Sequence, residues 1–170
     1  GADPALVAID LAAQAEHGEG TIVCAVSDEP ALLDAIDFDP GQAAGALVDA
    51  PDLDTALDFA EAFAPEHLEL IGAEAEALAP RVRSAGCVFV GPESATAFGD
   101  YVAGSNHTLP TGGAARFASG LSPRHFRRRM SEVRIGPAAD ALARAAAPVA
   151  RAEGFERHAA SMEVRENPDP

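Results

Sequence analysis

The 170-residue chain has no lysine: its twelve basic residues are all arginine, against twenty-seven acidic ones, for a net charge of −15. A surface of that sign repels phosphate backbones, which argues against nucleic acid as a partner. Extreme acidity without lysine fits a halophilic proteome or a GC-rich genome with an acidic bias. No apolar run approaches membrane-spanning length and nothing at the start reads as a signal peptide, so neither a membrane nor export is expected. The two cysteines, Cys24 and Cys87, lie in the apolar runs "TIVCAV" and "GCVFV". Thiols in such runs are inert core fillers, which suits a reduced, cytoplasmic location better than a disulfide framework. A GxGxxG dinucleotide fingerprint is also lacking, as is any internal repeat.

What is present suits one domain, or a core domain with a small appendage. Hydrophobic residues make up 48% of the chain, though alanine supplies much of that fraction and buries little area per residue. "DPALVAIDLAAQAEHG" reads as a helix with Asp3 as N-cap and Pro4 at its first position. "TIVCAVS" follows as a buried strand and "DEPALLDAID" as a helix start, while residues 38–46 show no period. "ALVDA" reads as a strand and "DLDTALDFAEAFA" as an amphipathic helix. "HLELI" is a strand, "AEAEALAPRVRSA" a helix and "GCVFVG" a strand. This alternation predicts an α/β fold: a partial Rossmann-like, mostly parallel sheet with flanking helices over residues 1–135. Residues 136–170 read as a helical tail, interrupted near Pro148 and Gly154, too small for a core of its own and docking on a partner subunit.

Polar residues gather in five places. Gln14 and His17 are three apart on one helix and share a face near its end. Glu66 and His67 follow Pro65 at a helix–strand junction, where an acid beside an imidazole can supply acid/base groups. Asp100 and His107 lie in the glycine-rich stretch "GDYVAGSNHTLPTGGAARFASG", read as a loop, and both are capable of metal binding. His158 lies on the terminal helix near Glu153. His125 sits in "SPRHFRRRM", a basic island that suits a solvated helix end better than a phosphate site. Each set has a plain alternative as solvent-facing polarity. Pattern reading alone stops at an α/β domain with a possible His/Asp metal site.

Taken together and in order, "DLAAQAEH", "APEHLEL", "GDYVAGSNHTLPTGGAARFASGLS" and "ARAEGFERHAASMEVR" resemble the histidinol dehydrogenase family over almost the whole chain. The resemblance implies one zinc ion held by Gln14, His17, Asp100 and His158, and a catalytic pair of Glu66 and His67. It implies substrate contacts by His107 and Glu153, with the zinc ligands also lining the substrate site. The implied activity is the NAD-dependent, four-electron oxidation of L-histidinol to L-histidine through the aldehyde. In that family the helical tail crosses to a second subunit, which implies a homodimer whose sites are completed by His158 and Glu153 of the partner chain.

Two departures accompany the resemblance. The chain matches the C-terminal part of the family, so the part carrying the NAD contacts is expected on a separate or upstream polypeptide. The NAD-binding residues are therefore unknown. The stretch between "TIVCAV" and "ALVDAPDLD" is shorter than the family's by roughly a helix. An enzyme working with an N-terminal half, or a non-catalytic remnant or interaction module of the same fold, would each produce this pattern.

Overall fold

The computed structural model describes residues 1–166; the last four positions of the expected tail, 167–170, lie outside the described residues. The chain falls into two compact units, one of residues 1–126 and one from Arg127 onward.

The first unit alternates helices and strands as the sequence predicts. Helix α1 (Pro4–Ala15) starts where the side chain of Asp3 accepts the Ala5 N–H at 2.9 Å, with Pro4 in the first turn. Beyond it come β1 (Ile22–Ser27), α2 (Pro30–Ala35) and β2 (Ala44–Asp49). β2 thus begins inside the stretch that shows no sequence period, because parallel pairing with β1 holds Ala44 opposite Ile22. Helix α3 (Leu53–Phe63) is capped by Asp52, whose carboxylate accepts the Thr55 N–H at 2.7 Å. It is followed by β3 (His67–Leu70), the short α4 (Ala73–Glu76), β4 (Cys87–Val90) and α5 (Ala97–Tyr101).

Both strand pairings are parallel, but they form two separate two-stranded ladders, β1–β2 and β3–β4. The helix expected over residues 73–85 is reduced to α4 and a 3₁₀ turn at Ala79–Arg81. Pro80 lacks the N–H that would continue an α-helix from α4. The core consists of branched and aromatic side chains, including Val23, Leu33, Ile36, Leu57, Leu70 and Phe89. Cys24 and Cys87 are free and half-buried, and burial raises the Cys24 thiol pKa.

The second unit contains α6 (Ala139–Ala152) and α7 (Glu156–Glu163). Contrary to the sequence expectation, α6 runs through Pro148 without a break. Proline removes only one N–H from the ladder, and the helix remains buried on both sides of it at Ala147 and Ala150. The break comes at Gly154, whose φ of 82° only glycine adopts readily. The two helices pack through Ala147, Ala150 and Ala159, with Met162 against them.

Candidate functional site

Three elements of the first unit meet around one set of polar side chains. Helix α1 supplies Gln14, and His17 follows just beyond its end. Strand β3 supplies His67 and Glu69, which share a face because strand side chains alternate. Helix α5 supplies Asp100, with Thr96 immediately before it. Asp100 is therefore helical and not a loop residue as expected from the glycines around it. Gly99 has a different use: a Cβ there would lie 2.5 Å from the Phe89 ring, so its absence lets α5 settle onto β4.

His67 Nε2 lies 3.8 Å from Asp100 Oδ1, beyond hydrogen-bond range, with the two side chains 11% and 23% exposed. That Nε2 atom is buried and has no hydrogen-bond partner among the described residues. The imidazole also leans on Phe89, with ring centroids 5.8 Å apart. Its partner in the dipeptide, Glu66, is half-buried. The Glu66 carbonyl accepts the Cys87 N–H at 2.9 Å, continuing the β3–β4 pairing by one residue.

The entry to His67 is set by backbone geometry. Ala64 ends α3 with a φ of 53°, the one non-glycine residue with positive φ among those described. It turns the chain into Pro65 and β3. A left-handed alanine costs about 1 kcal/mol or more, which the surrounding burial must offset; Ala64 is almost wholly buried.

The two α1 candidates are already oriented. Gln14 Nε2 donates to Thr96 Oγ1 at 2.8 Å, and its amide oxygen has no hydrogen bond among the described residues. His17 Nδ1 lies 2.9 Å from the Gln14 carbonyl. With Nδ1 donating there, Nε2 keeps its lone pair, the arrangement that supporting hydrogen bonds impose on metal-binding histidines. An amide oxygen, an imidazole nitrogen and a carboxylate suit a zinc-like cation. These residues fit such an ion, although no group of three His, Cys, Asp or Glu side chains is gathered at metal-binding distance among the described residues.

The remaining candidates are carried by other segments. His107 is exposed in the loop after α5. Its neighbour Asn106 closes that loop, accepting the Thr108 N–H at 2.7 Å and donating to the Leu121 carbonyl. Arg116 further ties the loop to α3 by donating to the Ala62 carbonyl. His125 accepts the Ser122 N–H at 3.0 Å within a local turn, as a solvated helix end would. Glu153 and His158 belong to the second unit and are both exposed. Glu153 caps α6, and the His158 ring sits 5.2 Å from that of Phe155.

Sequence reasoning missed Thr96, and it missed a second carboxyl pair. Burial first, and the charge of Asp10 on α1 second, push the Glu69 carboxyl up to about 7. Burial also raises Asp10, with the Glu69 contact acting in the opposite direction. Both residues were accessible from spacing: Glu69 is two beyond His67 on a strand, and Asp10 is four before Gln14 on a helix.

An open, mostly apolar hollow of about 460 Å³ runs along β4 and α5, lined by Cys87, Phe89, Phe98, Val102 and Ser105 among others. It contains neither His67 nor Asp100 and offers little for chemistry.

The sequence profile of the family described as "Histidinol dehydrogenase" matches residues 1–166. The histidinol dehydrogenase of Rhizobium meliloti is 40% identical over 97% of this chain and 42% of its own length. That of Haloarcula marismortui is 43% identical over 96% and 43%, respectively. The crystal structure of histidinol dehydrogenase from Elizabethkingia anophelis superposes with a TM-score of 0.80 at 30% identity, over 96% of this chain and 42% of that one. The chain thus spans less than half the length of the relatives it matches. With the profile covering both units and the geometry joining α1, β3 and α5, the chain belongs to the histidinol dehydrogenase family.

Proposed function

We propose that this chain is the zinc- and substrate-binding part of a histidinol dehydrogenase, acting together with the remaining length that its relatives possess. The observation that carries this reading is His67 Nε2, buried and unpartnered beside Asp100 on the face that α1 and α5 frame. A buried polar atom without a partner is costly, and a substrate hydroxyl would satisfy it.

Gln14, His17 and Asp100 would hold the zinc ion, with His158 as the fourth ligand. When bound, the ion would supply a Lewis-acid template that fixes the substrate's imidazole and amine. NAD, bound by parts of the family outside this chain, would accept hydride in each of two oxidations of L-histidinol. His67 would take the proton from the alcohol in the first oxidation and from the aldehyde hydrate in the second. Glu66 would assist the attack of water on the aldehyde between them. His107 and Glu153 would contact the substrate. Ligands drawn from both units accord with a homodimer in which the α6–α7 hairpin serves the partner's site. The half-buried free thiols fit a cytoplasmic location.

A second reading is a non-catalytic module of the same fold, in which the 3.8 Å gap between His67 and Asp100 serves no ligand. The deciding experiment measures NADH formation from histidinol, first with the chain alone and then with a polypeptide supplying the rest of the family's length. Zinc content is measured in parallel. Turnover in the mixture with one zinc per chain supports the enzyme. Absence of both turnover and zinc leaves the non-catalytic module.

A further inference from the structure

Thr96 stands immediately before α5 and is only 4% exposed. A threonine in that place ordinarily turns its hydroxyl forward to cap the helix, accepting an N–H two or three residues on. Thr96 does not. Its φ of −54° and ψ of −35° are already helical, and its side chain makes no capping bond. The N–H groups it would have taken are engaged elsewhere: Phe98 donates to the Ala95 carbonyl at 3.0 Å and Gly99 to the Thr96 carbonyl at 2.9 Å. The hydroxyl instead accepts from Gln14 Nε2 at 2.8 Å, across 82 positions of sequence. Among the described residues no other side-chain hydrogen bond joins α1 to residues 96–101.

This one bond reaches the whole candidate metal face. The His17 ring bonds to the Gln14 carbonyl at 2.9 Å, so the residue that Thr96 holds by its amide orients the imidazole through its backbone. Asp100 lies four residues beyond Thr96, one turn along the same face. With Nε2 turned to Thr96, the Gln14 amide presents its oxygen, the only atom of the group with lone pairs for a cation. A glutamine also loses much rotamer freedom when it is ordered. A partner built into the fold takes that cost out of metal binding.

We propose that Thr96 is a positioning residue that holds the Gln14 side chain ready for a divalent cation of the zinc class. It touches neither the ion nor the substrate. The proposal rests on the reading of Gln14 as a ligand, whereas the bond between Thr96 and Gln14 stands without that reading.

The experiment is zinc titration of the 170-residue chain against a competing chelator, for the wild type, Thr96→Val, Thr96→Ser, Gln14→Ala and the double variant Thr96→Val with Gln14→Ala. Valine keeps the shape of threonine and removes the hydroxyl; serine keeps the hydroxyl. Thr96→Val should weaken zinc binding about 10- to 100-fold, the range for partners that orient metal ligands, while Thr96→Ser should bind as the wild type does. In the Gln14→Ala background, Thr96→Val should cause no further loss, because the group it orients is gone. Wild-type affinity in Thr96→Val would overturn the proposal. So would an equal loss on top of Gln14→Ala, which would mean that Thr96 acts on the fold and not through Gln14. A second measurement needs no variant to fold. Nitrogen-15 NMR of the wild type should show the Gln14 side-chain NH₂ exchanging with water more slowly than that of Gln42, the chain's other glutamine, which is exposed. Equal exchange would overturn the bond and the proposal with it. Zinc bound equally by Gln14→Ala, or not at all by the wild type, with the Gln14 amide still protected, would overturn the ligand reading and the positioning role while the bond remained.

Discussion

The two units of the chain are built from different materials. The first buries Leu33, Ile36, Leu57, Leu70 and Phe89, side chains each worth about 1.5–3 kcal/mol when fully removed from water. The core of the second is Ala147, Ala150 and Ala159 with Met162, and each alanine methyl contributes about 0.8 kcal/mol. Meanwhile Leu142, Val149, Phe155 and Val164 remain exposed on the hairpin. The first unit can hold a site in place by its own packing. The second presents its candidates, Glu153 and His158, on an exposed scaffold that small side chains keep close-packed.

That contrast can be broken most forcefully at the two histidines. His67→Asn should lower histidinol oxidation by about 10²- to 10⁴-fold, the usual contribution of a general base, with zinc content unchanged. His158→Asn should instead lower zinc content, read by metal analysis after dialysis. Zinc loss in the first variant, or none in the second, would reverse the roles assigned to the two units.

Packing provides the next test. Leu57→Ala should destabilise the first unit by about 2–5 kcal/mol in urea unfolding. Ala147→Gly, at the centre of the hairpin, should cost about 1 kcal/mol, chiefly through helix propensity, read as lost helical ellipticity. Equal effects would mean that the hairpin depends on its core as strongly as the first unit does.

A smaller effect is expected at Gly86, where a Cβ would lie 2.5 Å from the Glu66 carbonyl oxygen. The obstacle is backbone, which gives way less readily than a flexible side chain. Gly86→Ala should cost about 1–3 kcal/mol and displace Glu66 and His67, so turnover should fall along with stability. Unchanged turnover with lowered stability would show that the β3–β4 spacing does not position the pair.

The smallest effect belongs to the hairpin's surface. Arg151 binds Glu163 across the two helices and also Glu156. The hydrogen bond from Arg151 holds the Glu163 carboxyl below its ordinary range. A depressed carboxylate stabilises the folded form above its ordinary pKa and loses that contribution as pH falls through the lowered value. Glu163→Gln should therefore weaken the hairpin slightly at pH 7, with no difference from wild type in strong acid or at 1 M salt. Circular dichroism melts at the three conditions check this.

Local chemistry was written plainly in the sequence. Asp3 with Pro4 announced the start of α1 because a capping carboxylate needs only the next few N–H groups. The parallel strands followed from alternation with helices, and the family resemblance followed from four motifs in order. Asp100 was misplaced because the glycines around it suggest a loop, whereas contact of Gly99 with Phe89 makes room for a helical turn. The helix expected over 73–85 shrank for the opposite reason, a local one in Pro80 that periodicity outweighed.

The sequence by itself thus determined the cap at Asp3, the strand directions, the acidic lysine-free composition and most of the roster of candidate residues. Tertiary structure alone decided which of them meet. The bond between Gln14 and Thr96 spans 82 positions, the approach of His67 to Asp100 crosses from a strand to a helix, and the His67 ring meets Phe89 of the neighbouring strand. Propensity and capping act over one or two turns. Contacts of this range are fixed by how side chains of given volume let helices settle on strands, and no local pattern encodes that.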